Sequence, residues 1–227
     1  MKKTIGIIGG MGPLATADLF RKIVLMTDAK CDQEHPRVLI DCNTNIPDRT
    51  AAILSGGENP IPQLAASART LERAGADVLM MPCNTAHYFY DGVTAATKLP
   101  VLHMLRLTAE EIDRRKIRTV GLLATDGTIQ TGIYERLFEE HGVTVVKPDA
   151  AGQKQIMALI YDGVKAGNAA FDTAPVRTVL DGMLASGVEA FVLGCTELPL
   201  MIKDGDLDVP LLNTTQIHIN AIFDAAR

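Results

Sequence analysis

Two stretches of this chain each end an apolar, strand-forming run at a cysteine. They are Leu79-Met80-Met81-Pro82-Cys83-Asn84-Thr85-Ala86-His87 and Phe191-Val192-Leu193-Gly194-Cys195-Thr196-Glu197-Leu198-Pro199. In an α/β sheet this pattern sets the thiol at the carboxyl end of a parallel strand, where open sheets bind ligands. Two such thiols in two matching halves constrain the fold to a repeated strand–helix layout, with the pair expected to face each other across a cleft.

The rest of the sequence supports a duplication. Thr4-Ile5-Gly6-Ile7-Ile8 matches Thr119-Val120-Gly121-Leu122-Leu123 at an offset of 115, and Leu64, Leu71, Gly75 and Cys83 match Val176, Met183, Gly187 and Cys195 at an offset of 112. Strands are expected at 4–8, 38–42, 78–81 and 101–103, then at 119–123, 143–146 and before Cys195, with a last strand-like piece around Leu211 and Leu212. Helical stripes lie between them, one of them near Ile156 to Tyr161. Asn43 to Thr50 reads as a loop. Strands alternating with helices imply parallel sheets with right-handed crossovers. The expected fold is therefore two similar parallel-sheet α/β sandwich domains related by a pseudo-twofold axis, with the active site in the cleft between them. The expected limits are 1–103 plus 212–227 for the domain carrying Cys83, and 104–211 for the domain carrying Cys195.

Composition narrows the partners. A hydrophobic fraction of 47% and a charged fraction of 22% are ordinary for a globular protein. A net charge of −5 without a basic run offers no electrostatic footprint for nucleic acid. No apolar stretch approaches the ~20 residues needed to cross a bilayer. Met1-Lys2-Lys3-Thr4-Ile5 runs straight into a strand-like segment, so no signal peptide is expected. Cysteines at 31, 42, 83 and 195 lack the spacing of a disulfide framework. Cytoplasmic location with reduced thiols is the expectation.

A lone cysteine is usually a small buried apolar residue, and that reading holds for Cys31 and Cys42. Cys83 and Cys195 differ because they occupy equivalent positions. Inverting a stereocentre that bears a hydrogen requires proton removal on one face and delivery on the other. With an ordinary pKa of about 8.5, thiol and thiolate are both accessible near neutrality. The loop Gly9-Gly10-Met11-Gly12-Pro13, followed by Ala15, fits a dinucleotide fingerprint only weakly. Backbone N–H groups binding a carboxylate are the favoured reading there, and Thr125-Asp126-Gly127-Thr128 is its counterpart. His87 reads as a helix-surface histidine rather than a metal ligand, because no second pair with zinc-like spacing exists. Glu197 is either an exposed glutamate or a pocket group that hydrogen-bonds the substrate or tunes Cys195. Arg49 and Lys165, taken alone, read as solvated cations.

Gly9-Gly10-Met11-Gly12-Pro13, Asn43-Thr44, Pro47-Asp48-Arg49, Pro82-Cys83-Asn84-Thr85, Thr125-Asp126-Gly127-Thr128, Gly163-Val164-Lys165 and Gly194-Cys195-Thr196-Glu197 together resemble the aspartate/glutamate racemase family over nearly the whole chain. The aspartate branch is the more similar. Glutamate racemases carry Asp-Ser after the first strand and histidine after the second Cys-Thr, where this chain has Gly9-Gly10-Met11 and Glu197. The resemblance implies a two-base racemase without pyridoxal phosphate, other cofactor or metal, in which Cys83 and Cys195 exchange the α-proton. It implies that Asn84, Thr85, Thr125, Thr128 and Thr196, beside Met11, line the pocket for the α-carboxylate and amino group. It also implies that Arg49 and Lys165 hold the side-chain carboxylate, and that the enzyme is a homodimer acting on a small acidic amino acid. Glutamate, broad-specificity and hydantoin racemases, a maleate-type isomerase and a non-catalytic two-lobed anion-binding protein remain as alternatives.

Overall fold

The computed structural model describes residues 3–226. Met1, Lys2 and Arg227, which the expected domain limits include, lie outside them. The chain divides into two compact units: one runs to Met104 and resumes at Thr215, and the other comprises Leu105–Thr214.

In the first unit four parallel strands lie in the order β2-β1-β3-β4: β1 (Ile5–Gly9), β2 (Val38–Cys42), β3 (Val78–Met80) and β4 (Val101–Leu102). β1 and β3 are the central pair, and every residue of both is buried. Strands covered on both faces must be apolar throughout, which is why these segments read as continuous hydrophobic runs. Alternation along β1 still sorts the core. Ile5 and Ile7 pack with Leu19, Ile23, Val78 and Met80, whereas Ile8 packs with Leu64, Leu71, Leu79, Met81 and Cys83. Leu19 and Ile23 come from α1 (Pro13–Met26), which starts with proline at its first turn. After β2, α2 (Arg49–Leu54) is a short helix, and α3 (Ile61–Arg73) supplies Leu64 and Leu71. A 3₁₀ turn over Thr85–Phe89 and α4 (Tyr90–Thr94) follow Cys83, and α5 (Met104–Arg114) leaves the unit.

The second unit has the same topology. β5 (Thr119–Leu123), β6 (Thr144–Val146), β7 (Ala190–Leu193) and β8 (Leu211–Asn213) form a parallel sheet in the order β6-β5-β7-β8. Between them run α6 (Asp126–Thr131), α7 (Ile133–Glu139), α8 (Ala150–Ala158) and α9 (Ala174–Ala185). The helix expected near Ile156 to Tyr161 is instead the end of α8 continuing into a π-helical segment, Leu159–Lys165. The two sheets repeat one packing solution. A Cβ on Gly6 would come within 2.5 Å of Leu79 Cδ2, and one on Gly121 within 2.6 Å of the Phe191 ring. In both halves the glycine leaves room for the bulky side chain of the neighbouring central strand. Both sheets are thus the parallel α/β sandwiches expected from the sequence.

The expected boundary at residue 212 falls inside β8, which hydrogen-bonds to β7 and completes the second sheet. The chain returns only with α10 (Thr214–Ala226), whose Ile219 and Ile222 join the core around Ile5 and Ile7. The Lys3 backbone N–H donates to the Ala226 carbonyl at 3.0 Å, tying the end of that helix to the start of β1.

In a sheet ordered β2-β1-β3-β4, successive connections leave in opposite directions from β1 and β3. Crevices at such switch points collect ligands. The glycine loop follows β1 there. Gly10 adopts φ +91°, and a Cβ on it would lie 2.5 Å from the Asn43 carbonyl carbon and oxygen. Gly10→Ala should therefore combine an unfavourable backbone conformation, about 1–2 kcal/mol, with a backbone clash. Chemical denaturation is expected to show a loss of at least that size, and an unchanged midpoint would contradict it.

Candidate active site

The glycine loop is fastened from within. The Gly10 N–H donates to Thr16 Oγ1 at 2.9 Å, and that hydroxyl donates to the Gly12 carbonyl at 2.9 Å. The Gly10 amide is thus engaged by the protein itself, so the expected carboxylate cradle cannot use it in this arrangement. Asn43 braces the same region: its Nδ2 donates to Gln63 Oε1 and Ser67 Oγ, both at 3.2 Å.

Met11 and Cys83 are brought together. Both are buried and share a cluster with Ile46 and Ala86. Asn84 and Thr85, next in sequence, are buried polar residues at 1% and 5% exposure. Arg49 is not in a loop: it opens α2, because the Asp48 carboxylate accepts from the Ala51 N–H at 2.8 Å and caps the helix. Its side chain is buried, and Nη1 donates to the carbonyls of Ile46 and Pro47 at 3.1 and 2.8 Å. That leaves the guanidinium held beside the segment carrying Ile46, not splayed on the surface.

His87 is also not a surface group. It is buried, and burial, followed by the charge of the neighbouring His103, pushes its pKa down to about 3. The resting imidazole is neutral. Its ring lies 4.9 Å from His103 and 6.4 Å from His218, centroid to centroid.

In the second unit Cys195 lies just beyond β7, and its Sγ donates to Glu197 Oε2 at 3.0 Å. Thr196 Oγ1 donates to the same oxygen at 3.2 Å, and the other carboxylate oxygen pairs with Lys165 Nζ at 2.9 Å. Glu197 is only 2% exposed, so it is not the exposed glutamate, and in this structure its carboxylate is a buried partner of Cys195. The π-helical segment carries Lys165 to this point, its ammonium 5.7 Å above the Tyr161 ring. Burial and then the Glu197 charge push the Cys195 thiol well above its ordinary range, with Lys165 opposing. Cys195 therefore rests as a thiol. Thr125, the residue before α6, and Thr128 are buried, with hydroxyls 3.4 Å apart.

Sequence reasoning missed Tyr134. It is fully buried, its phenol is hydrogen-bonded with Thr108, and its pKa is pushed up by burial, with the Thr108 bond opposing. In sequence it reads as one more apolar position of α7. No group of three or more His, Cys, Asp or Glu is gathered as a metal site among the described residues.

A family profile described as Asp/Glu/hydantoin racemase matches residues 8–222. The chain belongs to that family. It is an isomerase of the amino-acid racemase class. An aspartate racemase from Picrophilus torridus is 32% identical with a TM-score of 0.91, the alignment covering 99% of this chain and 94% of that one. An aspartate racemase homologue from Pyrococcus horikoshii is 32% identical with a TM-score of 0.80, covering 100% and 99%. A broad-specificity amino-acid racemase from Bacillus subtilis is 25% identical over 224 residues, 93% of this chain and 92% of its own.

The geometry around Cys195 yields a measurable consequence. Glu197→Gln removes the negative charge that opposes thiolate formation and leaves Lys165 to favour it. The pH midpoint for iodoacetamide alkylation of Cys195, followed by peptide mass spectrometry, should fall. A midpoint that stays or rises would contradict the assignment.

Proposed function

We propose that this protein is a cofactor-independent aspartate racemase in which Cys83 and Cys195 exchange the α-proton on opposite faces of the substrate. The observation supporting this most strongly is the pair of buried cysteines, each just past the carboxyl end of a fully buried central strand, β3 or β7. One thiolate takes the α-proton as the Cα–H electron pair passes to the substrate. The opposing thiol then delivers its proton to the other face, and the two sulfurs end with exchanged protonation states. The hydrogen bond to Glu197 suits Cys195 to wait as the thiol.

In this reading Asn84, Thr85, Thr125, Thr128 and Thr196 bind the α-carboxylate and amino group, with Met11 walling the site. Arg49 and Lys165 hold the side-chain carboxylate. A dianion needs fixed cations, and these two are the positions the sequence resemblance assigns to that task. Lys165 already serves Glu197, so its ammonium would be shared between two carboxylates. The kinship with the broad-specificity enzyme supports a second reading, in which acidic side chains are not privileged.

A homodimer in the cytoplasm is also proposed. α1 buries Ala15, Thr16, Leu19 and Ile23 on one side and leaves Leu14, Phe20, Val24 and Leu25 exposed on the other, a face suited to a second copy. No helix among the described residues is long and apolar enough to cross a membrane.

Chiral chromatography of L- and D-aspartate, with EDTA and hydroxylamine present, should show interconversion. Charge-assisted hydrogen bonds contribute about 1.5–3 kcal/mol, so Arg49→Ala should lower kcat/KM for aspartate roughly 10- to 100-fold. Alanine, lacking the second carboxylate, should lose much less. Equal losses for both would favour the broad-specificity reading.

A further inference from the structure

Cys195 is held through its side chain, but no equivalent of Glu197 follows Cys83. At the corresponding place stands Thr85, and the conspicuous polar group is instead His87, four residues beyond the cysteine. Its two ring nitrogens have different partners. Nδ1 lies 2.9 Å from the Cys83 carbonyl oxygen, and Nε2 lies 3.1 Å from the Met104 backbone nitrogen. A carbonyl only accepts and a backbone N–H only donates, so this pair of contacts favours hydrogen on Nδ1 and the lone pair on Nε2, with the Leu102 carbonyl a lesser competing acceptor at the ring. Met104 is the first residue of α5, and the first N–H groups of a helix have no partner within it. His87 thus satisfies an open helix donor with one nitrogen and fixes the cysteine's own peptide with the other.

We propose that His87 is a positioning residue for Cys83: its imidazole, as the Nδ1–H tautomer, ties the Cys83 carbonyl to the backbone N–H that opens α5. The proposal rests on the two-cysteine reading above for its catalytic consequence, though not for its geometry. A neutral ring is required, since a proton on Nε2 would face the Met104 N–H with a second donor. The surroundings enforce this. His103 and His218 crowd the ring, Tyr90 stacks at 6.0 Å between centroids, and burial disfavours charge. His218 is itself buried and pushed down to about 3, chiefly by burial and then by His87. The backbone at Cys83 and Leu102 is the opposing influence, favouring charge, and it is outweighed. The tie should therefore hold across the physiological range rather than switch within it.

Amide side chains separate the two halves of the tie. Asparagine places its NH₂ near the position of Nδ1 and can keep the bond to the Cys83 carbonyl. Glutamine reaches the position of Nε2 and can keep the bond to Met104. Alkylation of Cys83 and Cys195 by iodoacetamide, read separately by mass spectrometry, tests the placement without reference to catalysis. His87→Ala and His87→Gln should change the Cys83 rate about 10-fold or more while Cys195 stays within about 2-fold, and His87→Asn should restore Cys83 in large part. The catalytic arm is α-proton exchange of L- and D-aspartate in D₂O. Misplacing a reacting group by about an ångström can cost on the order of 100-fold. His87→Ala should therefore slow mainly the enantiomer whose exchange is lost in Cys83→Ser, with KM little altered. If His87→Ala does not fold, the Asn and Gln variants carry the comparison. Unchanged Cys83 alkylation in His87→Gln, equal effects on both cysteines, or rescue by Gln rather than Asn would overturn the proposal. If Cys83→Ser affects both enantiomers alike, the two-base reading fails, and the alkylation result still decides the role of His87.

Discussion

Strands buried on both faces admit no polar side chain until they end, and the chemistry of this protein depends on that constraint. β1, β3, β5 and β7 are covered above and below, so every functional group must wait for the carboxyl ends. The parallel arrangement sends those ends the same way within each sheet, and the strand order places the switch point between the two central strands. In the first unit this sets the Met11 loop beside Cys83. In the second it sets Thr125 and Thr128 beyond β5 and Cys195 beyond β7.

The same constraint explains how much was legible in the sequence. A doubly buried strand must read as an apolar run, so both cysteines stood out as the points where such runs stop. β2 is legible to its limits because Val38–Cys42 is flanked by polar loops. α2 was less visible: Asn45, Pro47 and Asp48 give the composition of a loop, and the helix is six residues long. Asp48 as a cap was the available signal. α5 is hidden in the sequence, since Glu110, Glu111, Arg114 and Arg115 dilute the apolar stripe of Leu105, Ala109 and Ile112.

The contacts that distinguish the two halves were the least legible. Lys165 and Glu197 are 32 residues apart and meet only because a π-helical segment carries the lysine to the end of β7. His87 looks like an ordinary polar position of a helix until the Cys83 carbonyl and the start of α5 are seen to converge on its ring. Topology is duplicated, whereas polar detail is not. Cys195 has its sulfur bonded to a carboxylate, while Cys83 has its backbone bonded to an imidazole. In the proposed two-base reaction the halves would have different tasks, and such divergence is compatible with that reading.

The central claim is that two different groups handle the α-proton, one removing it and the other supplying its replacement. Early-time racemisation of L-aspartate in D₂O, stopped at low conversion and resolved by chiral chromatography with mass detection, tests it directly. The account predicts that newly formed D-aspartate carries deuterium at Cα while the remaining L-aspartate is still protiated. Deuterium appearing equally in the remaining substrate, or protium retained in the product, would point to a single base serving both faces and would contradict it.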